Sequence, residues 1–350
     1  MADKRRVKCG VLSAQCSVRR LVGGAGVALL LTLAACAPGP VRVMLPGTVA
    51  SGRAAAPRTI RVQVREGTAL VVREIALEDY VATTSLSEVH PGLSDEGSAE
   101  RMFEVQAVIA RTYAVSNRGR HAKDGFDLCS TTHCQLYDPA RVRTSRWATA
   151  VRAAVHRTAG EVLWFADGPA RAVFHADCGG HTSNAAAVWG GVAPAYLSGA
   201  LDHGPADHAH ADWTFETRAA ALRTALNADP RTAIGAKLDA IEIAGRDRAG
   251  RAEQILLRGT RTFVVRGEVF REVFTRALGV KSLRSTLFTV KKSRAASAKA
   301  TVLEDTFVFS GKGFGHGVGL CQAGALARLK AGESPEHVLE HYFPGTSLRK

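Results

Sequence analysis

Short stretches of alternating hydrophobic and polar residues are interleaved in this chain with stretches whose hydrophobic residues recur at helical spacing. Residues 59–64 alternate and are followed by a turn and an apolar run at 70–75, which predicts a β-hairpin. Residues 76–86 and 98–117 carry hydrophobic residues three and four positions apart, which predicts two helices. The structured part of the chain is therefore expected to begin with a hairpin and two helices.

The rest of the chain mixes the same two kinds of element. Helical spacing is present at residues 145–156, 217–227, 268–278 and 320–330, and a last helix is predicted to start at Ser334-Pro335. Strands are predicted at residues 161–165, 170–176, 238–243, 253–257, 261–266, 285–290 and 306–310. The basic stretch 291–299 is predicted to be a loop. This order predicts an α+β fold of mixed hairpins and short helices, and 350 residues are enough for two lobes around a cleft.

A glycine-rich loop with the sequence KGFGHGVGLCQAGA occupies residues 312–325. Its glycines allow a sharp bend or a close approach to the backbone, and His316 lies among them. The spacing does not fit the G-x-G-x-x-G dinucleotide fingerprint, because no register supplies glycines at i, i+2 and i+5. Spacing alone leaves two interpretations: a tight strand-to-helix connection with a packed histidine, or a histidine held towards a cleft.

Composition and charge narrow the choice of partners. The chain is 46% hydrophobic and 22% charged, as expected of a globular protein, and its formal net charge is +14. Such a charge favours nucleic acid, an anionic membrane surface or an acidic cell-wall polymer as partner. We expect no nucleic-acid partner, because no compact block of Lys and Arg interleaved with aromatic residues follows residue 36.

The N-terminal segment is typical of an export signal. Residues 4–20 are basic, residues 21–35 are apolar and small, and Cys36 follows. The run Leu33-Ala34-Ala35-Cys36 resembles the lipobox of bacterial lipoproteins, in which the cysteine carries the lipid, and ordinary signal cleavage nearby is the alternative. We therefore predict a lipoprotein signal peptide at 1–35, a lipid-anchored flexible tether at 36–57 and one domain at 58–348. The protein would then be exported and membrane-anchored, facing the periplasm or cell wall.

The chain has seven cysteines, and the predicted exported domain contains Cys129, Cys134, Cys178 and Cys321. In an oxidising compartment four thiols can form two disulfides in three connectivities. A metal is the alternative, because Cys129, His133 and Cys134 offer donor atoms that suit zinc. The fourth ligand is not evident, although His121 lies eight residues upstream of Cys129. The His and Asp residues at 202–212 have no spacing that would fix ligands, and we interpret them as a solvated loop.

Glu88 is the candidate acid that local sequence favours. Neither the G-x-S-x-G hydrolase elbow nor the H-E-x-x-H metalloprotease motif occurs in the sequence. Pro91 biases His90 away from helical geometry, so Glu88 is expected at a helix end that faces a loop. A carboxyl group beside a buried helix can have a raised pKa. Position alone does not distinguish it from the other glutamates.

Several further motifs are present, and none of them identifies a function when it is taken alone. They are LEDYV (77–81), QAVIARTY (106–113), TTHCQLY (131–137), FHADCGGHT (174–182), VWG (188–190) and GFGHGVGLCQ (313–322). Together with Glu88, and in this order, they resemble the stage II sporulation protein D and amidase-enhancer family. The resemblance covers about residues 59–346.

The resemblance implies a domain that acts on bacterial peptidoglycan. Sporulation members cleave glycan strands stripped of stem peptides as lytic transglycosylases, leave 1,6-anhydro-muramic ends and require no cofactor. By resemblance, Glu88 and Arg111 would be catalytic, and His175, His181, His316 and Gln322 would line a glycan-binding cleft. The alternative function is a non-catalytic glycan binder that recruits or enhances a cell-wall amidase. The implied partners are glycan strands, an amidase and, through Cys36, a membrane.

The sequence departs from the family pattern at three places. Some clostridial members bind zinc through a Cys/His loop, which Cys129, His133 and Cys134 resemble with one residue fewer between the first Cys and the His. The resemblance thus implies a structural zinc there, and disulfides remain the alternative. Val89-His90-Pro91 follows Glu88 where members often have Met-Pro. The predicted lipid anchor replaces the single-pass helix of sporulation members, and nothing in this sequence indicates a role in sporulation.

Overall fold

The computed structural model describes residues 58–92, 94–202, 212–296 and 303–350. The predicted signal peptide, Cys36, the tether and the histidines of the 202–212 stretch lie outside these ranges. Within them, no helix combines the length and the apolar character needed to cross a bilayer. The predicted domain boundaries therefore stay predictions.

Helices and strands are mixed throughout the described chain, which confirms the α+β prediction. Its first part contains β1 (Thr59–Glu66), β2 (Ala69–Ala76), α1 (Leu77–Glu88), α2 (Glu96–Ser116), β3 (Leu128–Cys129), α3 (Pro139–Thr144), α4 (Ala148–Arg157), β4 (Val162–Phe165), β5 (Gly168–Pro169), β6 (Phe174–His175) and α5 (Ala185–Trp189). The second part contains β7 (Asp212–Arg218), α6 (Ala219–Asn227), β8 (Leu238–Arg246), β9 (Ala252–Gly259), β10 (Thr262–Arg266), α7 (Gly267–Leu278), β11 (Phe288–Ala296), β12 (Leu303–Lys312), β13 (Leu320–Cys321), α8 (Gln322–Lys330), α9 (Pro335–Tyr342) and β14 (Ser347–Arg349).

The strands form small sheets instead of one large one. Three-stranded sheets have the orders β2-β1-β3, β10-β9-β8, β11-β12-β7 and β14-β4-β5. A two-stranded sheet joins β13 to β6 in parallel, with Leu320 opposite Phe174 and Cys321 opposite His175. This last pairing brings the end of the glycine-rich loop to the segment that carries His175.

Three hydrophobic clusters support these elements. One surrounds α2 and includes residues of α4, α8 and α9, and another lies between α1, α2 and the β1 sheet. The third is rich in phenylalanine and joins α6 and α7 to the sheets of the second part. The rings of Phe270, Phe274, Phe288 and Phe309 contact one another at centroid distances of 4.5–6.3 Å. The prediction of two lobes around a cleft stays a prediction.

Four element predictions were wrong in their bounds. The predicted helix at 145–156 starts only at Ala148, because Ser145 is extended (φ −80°, ψ 135°) and follows the end of the separate helix α3. Thr217 belongs to β7, where it pairs with Phe307. The predicted loop at 291–299 continues β11 as far as Ala296, and the predicted strand at 285–290 starts only at Phe288. This basic stretch can form a strand because it pairs with β12 along its length. Lys292 also forms an ion pair with Asp305 at 2.8 Å.

The predicted hairpin at 161–176 is confirmed only in its first half. β4 pairs with β5 around a turn at Ala166-Asp167, and Ala166 takes a left-handed φ of 49°. β5 ends at Pro169, which has no amide hydrogen to donate to a ladder. The chain then leaves this sheet, so that β6 can pair with β13.

Candidate active site

Glu88 is the last residue of α1, as the sequence predicted. It is partly buried, and its Oε1 accepts a 2.5 Å hydrogen bond from the Leu136 amide. Burial raises the pKa of Glu88 to about 7, although the Leu136 hydrogen bond and the charge of Arg141 both lower the pKa. The carboxyl group can therefore hold or release a proton near neutral pH.

The segment from Cys134 to Asp138 covers the end of α1 and positions the Leu136 amide. The Tyr80 hydroxyl donates to Gln135 Oε1 at 3.0 Å, and the rings of Tyr80 and Tyr137 stack at 5.6 Å. The Asp138 amide donates to Ser87 Oγ at 3.0 Å. Contacts on both sides of Leu136 thus fix the donor that Glu88 uses.

Gln322 joins the glycine-rich loop to Glu88. It is the first residue of α8, and its Nε2 lies 3.2 Å from Gln106 Oε1 and 3.4 Å from the Glu88 carbonyl oxygen. Gln106 is fully buried in α2. The structure therefore brings together three of the motifs that the sequence analysis singled out, those that contain Glu88, Gln106 and Gln322.

His175 and His316 face each other with ring centroids 5.5 Å apart, and Trp189 lies 5.1 Å from the His316 ring. His175 Nδ1 donates to the Val318 carbonyl at 3.1 Å, and His316 Nδ1 accepts from the Val318 amide at 3.0 Å. Burial holds the pKa of both imidazoles below the ordinary range; His175 is also lowered by His316, and His316 by the guanidinium groups of Arg271 and Arg251. Both rings are therefore neutral at pH 7 and suit hydrogen bonding better than proton transfer.

Glycine is required in the loop between β12 and β13 for two separate reasons. Gly319 has a φ of 70°, and a Cβ there would lie 2.1 Å from the Val173 carbonyl oxygen. Gly317 has a φ of 81°, and a Cβ there would lie 2.3 Å from Arg251 Nε. The fully buried Arg251 also donates to the carbonyl oxygens of Cys178 (2.7 Å) and Gly315 (3.3 Å), so it holds the loop against the turn after β6.

Arg111 lies apart from this group. It is fully buried in α2, and its guanidinium makes a bidentate pair with Glu78 at 2.9 and 2.6 Å and donates to the Glu161 carbonyl at 3.1 Å. Glu78 is near the start of α1 and Glu88 is at its end, so ten helical residues, or about 15 Å, separate them. The catalytic role of Arg111 stays a prediction, and its contacts suggest that it positions α1 instead.

His181 is partly buried at the end of the turn after β6. Its Nδ1 donates to the Thr182 carbonyl at 2.6 Å, and its backbone bridges to Leu201. No described hydrogen bond or ring contact joins it to His175, His316 or Gln322. A glycan-binding role for His181 stays a prediction.

The cysteine–histidine loop has a fourth donor in the folded chain. One donor atom each from His121, Cys129, His133 and Cys134 lies within 4.8 Å of the others. Cys134 Sγ is 3.3 Å from His121 Nε2 and 3.7 Å from His133 Nδ1, and Cys129 Sγ is 3.7 Å from the same His133 nitrogen. Tetrahedral zinc separates a sulfur and a nitrogen ligand by about 3.6 Å, so the group fits this metal. The structure joins none of Cys129, Cys134, Cys178 and Cys321 in a disulfide.

A groove of about 530 Å³ lies next to Glu88 along the chain. Its lining includes Val89, His90, Arg141, Arg146 and Trp147, and no acidic residue is part of it. Arg141 donates to the Ser87 carbonyl at 3.0 Å, and the Arg146 guanidinium lies 4.4 Å from the centroid of the Trp147 ring. The groove thus combines an aromatic face with positive charge.

Sequence reasoning missed four contributors to the site: the Leu136 amide, Arg141, Arg251 and Glu78 as the partner of Arg111. Leu136 could have been noticed, because it lies in the TTHCQLY motif. Nothing in the sequence around Arg251 indicated that it would be buried, because it follows a turn at 247–250 of a kind that is common on protein surfaces.

Comparison with known proteins gives two family matches in this chain. The family described as Stage II sporulation protein matches residues 65–165, which contain Glu88 and Arg111. A family described as a domain of unknown function (DUF8618) matches residues 206–319, which contain His316.

Three relatives illustrate the similarity. An uncharacterized protein of Brachyspira hyodysenteriae is 29% identical over 80% of this chain and 68% of its own length. Stage II sporulation protein D of Bacillus subtilis is 27% identical over 79% of this chain and 75% of its own length. An amidase enhancer of the same species is 26% identical over 70% of this chain but only 37% of its own length. Residues 65–165 thus match the Stage II sporulation protein family, and most of the chain is similar to stage II sporulation protein D and to an amidase enhancer.

Proposed function

We propose that this protein acts on bacterial peptidoglycan and cleaves its glycan strands as a lytic transglycosylase, with Glu88 as both acid and base. The observation that carries the proposal is the Glu88 carboxyl, whose pKa burial raises to about 7 at a helix end whose next residues, Val89 and His90, line an open groove. A general acid is most effective when its pKa is near the working pH. The family relationship supports the same carboxylate, because the matched region includes it.

One carboxyl group is sufficient for this reaction. Protonated Glu88 gives its proton to the glycosidic oxygen as the bond to muramic C1 breaks. The resulting carboxylate then takes the proton of the muramic 6-hydroxyl, whose oxygen bonds to C1 and closes the 1,6-anhydro ring. No second carboxylate is needed to activate water, in contrast to ordinary glycoside hydrolysis. Because Leu136 engages Oε1 of Glu88, Oε2 is the oxygen that would face the sugar.

The surroundings of Glu88 suit a glycan strand. The groove offers an aromatic ring and two guanidinium groups, which can stack on a sugar face and attract the carboxylate of a muramic acid that has lost its stem peptide. Gln322, His175 and His316 would contribute neutral hydrogen-bonding groups on the loop side. The proposed substrate is therefore a strand denuded of stem peptides.

A second candidate function is a glycan-binding protein that recruits or enhances a cell-wall amidase. One relative with 26% identity is named as an amidase enhancer, which favours this candidate. It would use the same groove but would not need the proton chemistry of Glu88.

Digestion of purified denuded glycan, followed by mass spectrometry, tests the enzyme proposal. We expect 1,6-anhydro products from the wild type and none from Glu88→Gln, with strand binding preserved in both. Glu340→Gln is the matched control, because Glu340 is exposed on α9 and far from the groove in sequence. If the wild type binds strands but forms no anhydro product, the non-catalytic function is the correct one.

We also propose two supporting features. Zinc would be held by His121, Cys129, His133 and Cys134, whose donor spacing fits it, and would fix the segment that positions Leu136 without entering the reaction. A lipid on Cys36 would attach the exported protein to a membrane, with the tether at 36–57 giving reach to the wall.

A further inference from the structure

Two cysteines that neither the zinc group nor the proposed reaction uses meet in the interior. Cys178 follows β6 and Cys321 ends β13, and both are fully buried with no exposed surface. Their sulfur atoms belong to a group whose donor atoms lie within 4.8 Å of one another. The Cys178 amide also donates to Cys321 Sγ at 3.2 Å, across 143 positions of sequence.

The position of this pair is significant because it lies where the glycine-rich loop meets the turn after β6, the same two segments that Arg251 joins. β6 and β13 pair through only two residues each. Cys321 caps α8 through its sulfur, which accepts from the Gly324 amide at 3.4 Å, and the next residue is Gln322, which reaches Glu88. A covalent bond here would hold the loop side of the candidate site to the segment that carries His175.

We propose that Cys178 and Cys321 form a disulfide in the mature protein, which fixes the glycine-rich loop of residues 312–325 to the turn after β6. The pair fits a disulfide because Cys321 Sγ lies 3.2 Å from the Cys178 amide nitrogen and within 4.8 Å of Cys178 Sγ, so a small rotation of the side chains can bring the sulfurs together. The other two thiols, Cys129 and Cys134, are engaged with His121 and His133 and remain reduced.

A metal at this second group is the weaker interpretation. Besides the two sulfurs, the group has one more donor, His175, whose Nδ1 donates to the Val318 carbonyl and whose Nε2 has no hydrogen-bond partner, so it offers three protein ligands. Closed structural zinc sites take four protein ligands, and the complete burial of both cysteines leaves little room for a water to be the fourth. The nearby carboxylate of Asp202 is engaged by the Cys178 thiol at 3.2 Å.

Formation of the Cys178–Cys321 bond requires an oxidant, and a disulfide of the thiol–disulfide oxidoreductase class would supply it. One cysteine thiolate attacks the oxidant's disulfide and forms a mixed disulfide, and the second cysteine then displaces the oxidant's remaining sulfur. The two thiols of the chain lose two electrons and two protons, and the oxidant leaves as a dithiol. Because both thiols are buried and burial raises the pKa of Cys321 well above its ordinary value, we expect the bond to form during folding.

Peptide mapping of the full chain tests the proposal. The protein is refolded with oxidised and reduced glutathione, or isolated from an exporting host, and its free thiols are alkylated under denaturing conditions without reductant. We expect Cys129 and Cys134 to be alkylated, and the Cys178 and Cys321 peptides to be recovered as one cross-linked species that separates after reduction. Recovery of both residues alkylated without reduction would overturn the proposal, as would a bond from either one to Cys129 or Cys134.

A stability measurement gives an independent readout. Reductant should lower the melting temperature of the wild type by about 5–10 °C, because the bond closes a very long loop. The Cys178→Ser/Cys321→Ser variant should melt near the reduced wild type and should not respond to reductant. Metal analysis of the same samples excludes the alternative: a metal lost only from this double variant would show that the group holds an ion and not a disulfide. None of these outcomes depends on glycan cleavage, so failure here would leave the proposed function standing.

Discussion

At the scale of single residues, the proposed chemistry depends on the surroundings of one carboxyl group. Glu88 has a pKa raised to about 7 by burial, and a hydrogen bond from Leu136 and the charge of Arg141 prevent a larger rise. The two histidines near the site are held neutral by burial and by neighbouring positive charge. Glu88 is thus the group of this site whose protonation changes near neutral pH.

The pH dependence of activity follows from the raised pKa of Glu88. The acid step needs the protonated carboxyl, so kcat/KM on denuded glycan should be constant below pH 6 and fall about tenfold per pH unit above 7. Arg141→Gln should move this fall to higher pH, because the Arg141 charge lowers the pKa. A fall centred near pH 4.5 in the wild type would contradict the assignment of Glu88 as acid.

Arg111 offers a test that separates positioning from catalysis. Its bidentate pair with Glu78 is buried on the arginine side, and Lys cannot reproduce the planar fork. We expect Arg111→Lys to lower the free energy of unfolding by about 2–3 kcal/mol, and Glu78→Gln to lower it by less, since Glu78 is half-exposed. Denaturant unfolding measures both. A large loss of kcat in Arg111→Lys at unchanged stability would instead indicate direct catalysis.

At the scale of elements, the site is built from short segments that are poor in regular structure. The segment 134–138 and the glycine-rich loop of residues 312–325 both reach α1 from different parts of the chain, through Leu136 and Gln322. Each has its own anchor: the cysteine–histidine group for the first, and Arg251 for the second. Removing either anchor should therefore change the surroundings of Glu88, although neither anchor contacts Glu88 directly.

Metal removal tests the first of these anchors. The zinc-loaded protein should contain about one zinc per chain, and Cys129→Ser should reduce this stoichiometry to near zero. Chelation should lower the melting temperature and reduce activity several-fold, because the Leu136 donor loses its support. Cys178→Ser is the matched control and should keep its zinc. A chain free of metal and with Cys129 and Cys134 oxidised would reject the zinc proposal.

At the scale of the whole molecule, the proposed attachment and the net charge would restrict where the domain acts. The formal charge of +14 includes the basic residues of the predicted signal peptide at 1–35, and the positive charge that remains would suit a protein that works beside anionic lipid and an acidic wall polymer. The proposed tether at 36–57 would allow the domain to search the wall within a limited distance of the membrane. Attachment would then restrict the reaction in space instead of changing its chemistry.

Fractionation of cells that express the full chain checks the attachment. The wild type should be found with membranes and should carry a lipid on its N-terminal Cys36 peptide, whereas Cys36→Ser should lose the lipid and leave the membrane fraction. Cys16→Ser is the control for substitution of a cysteine within the same N-terminal region. Membrane release of both variants, or of neither, would contradict lipidation at Cys36.

The sequence alone determined the elements whose patterns are local. The periodicity of α1 and α2, the helix end at Glu88 and the glycine-rich loop follow from spacing within a few residues. Element bounds were wrong where a distant strand extended the ladder, as β12 does for β11 and β7. The glycine positions were informative in sequence, but only the fold showed that Gly317 makes room for Arg251 and Gly319 for Val173.

Tertiary structure decided which side chains meet. Glu88 finds its donor 48 residues away, Arg111 finds its carboxylate 33 residues away, and Cys178 meets Cys321 across 143 positions. His121 became a fourth donor only because the chain turns back beside Cys134. Local spacing does not encode such pairs, since they depend on how whole elements pack and on which buried polar groups must find partners there.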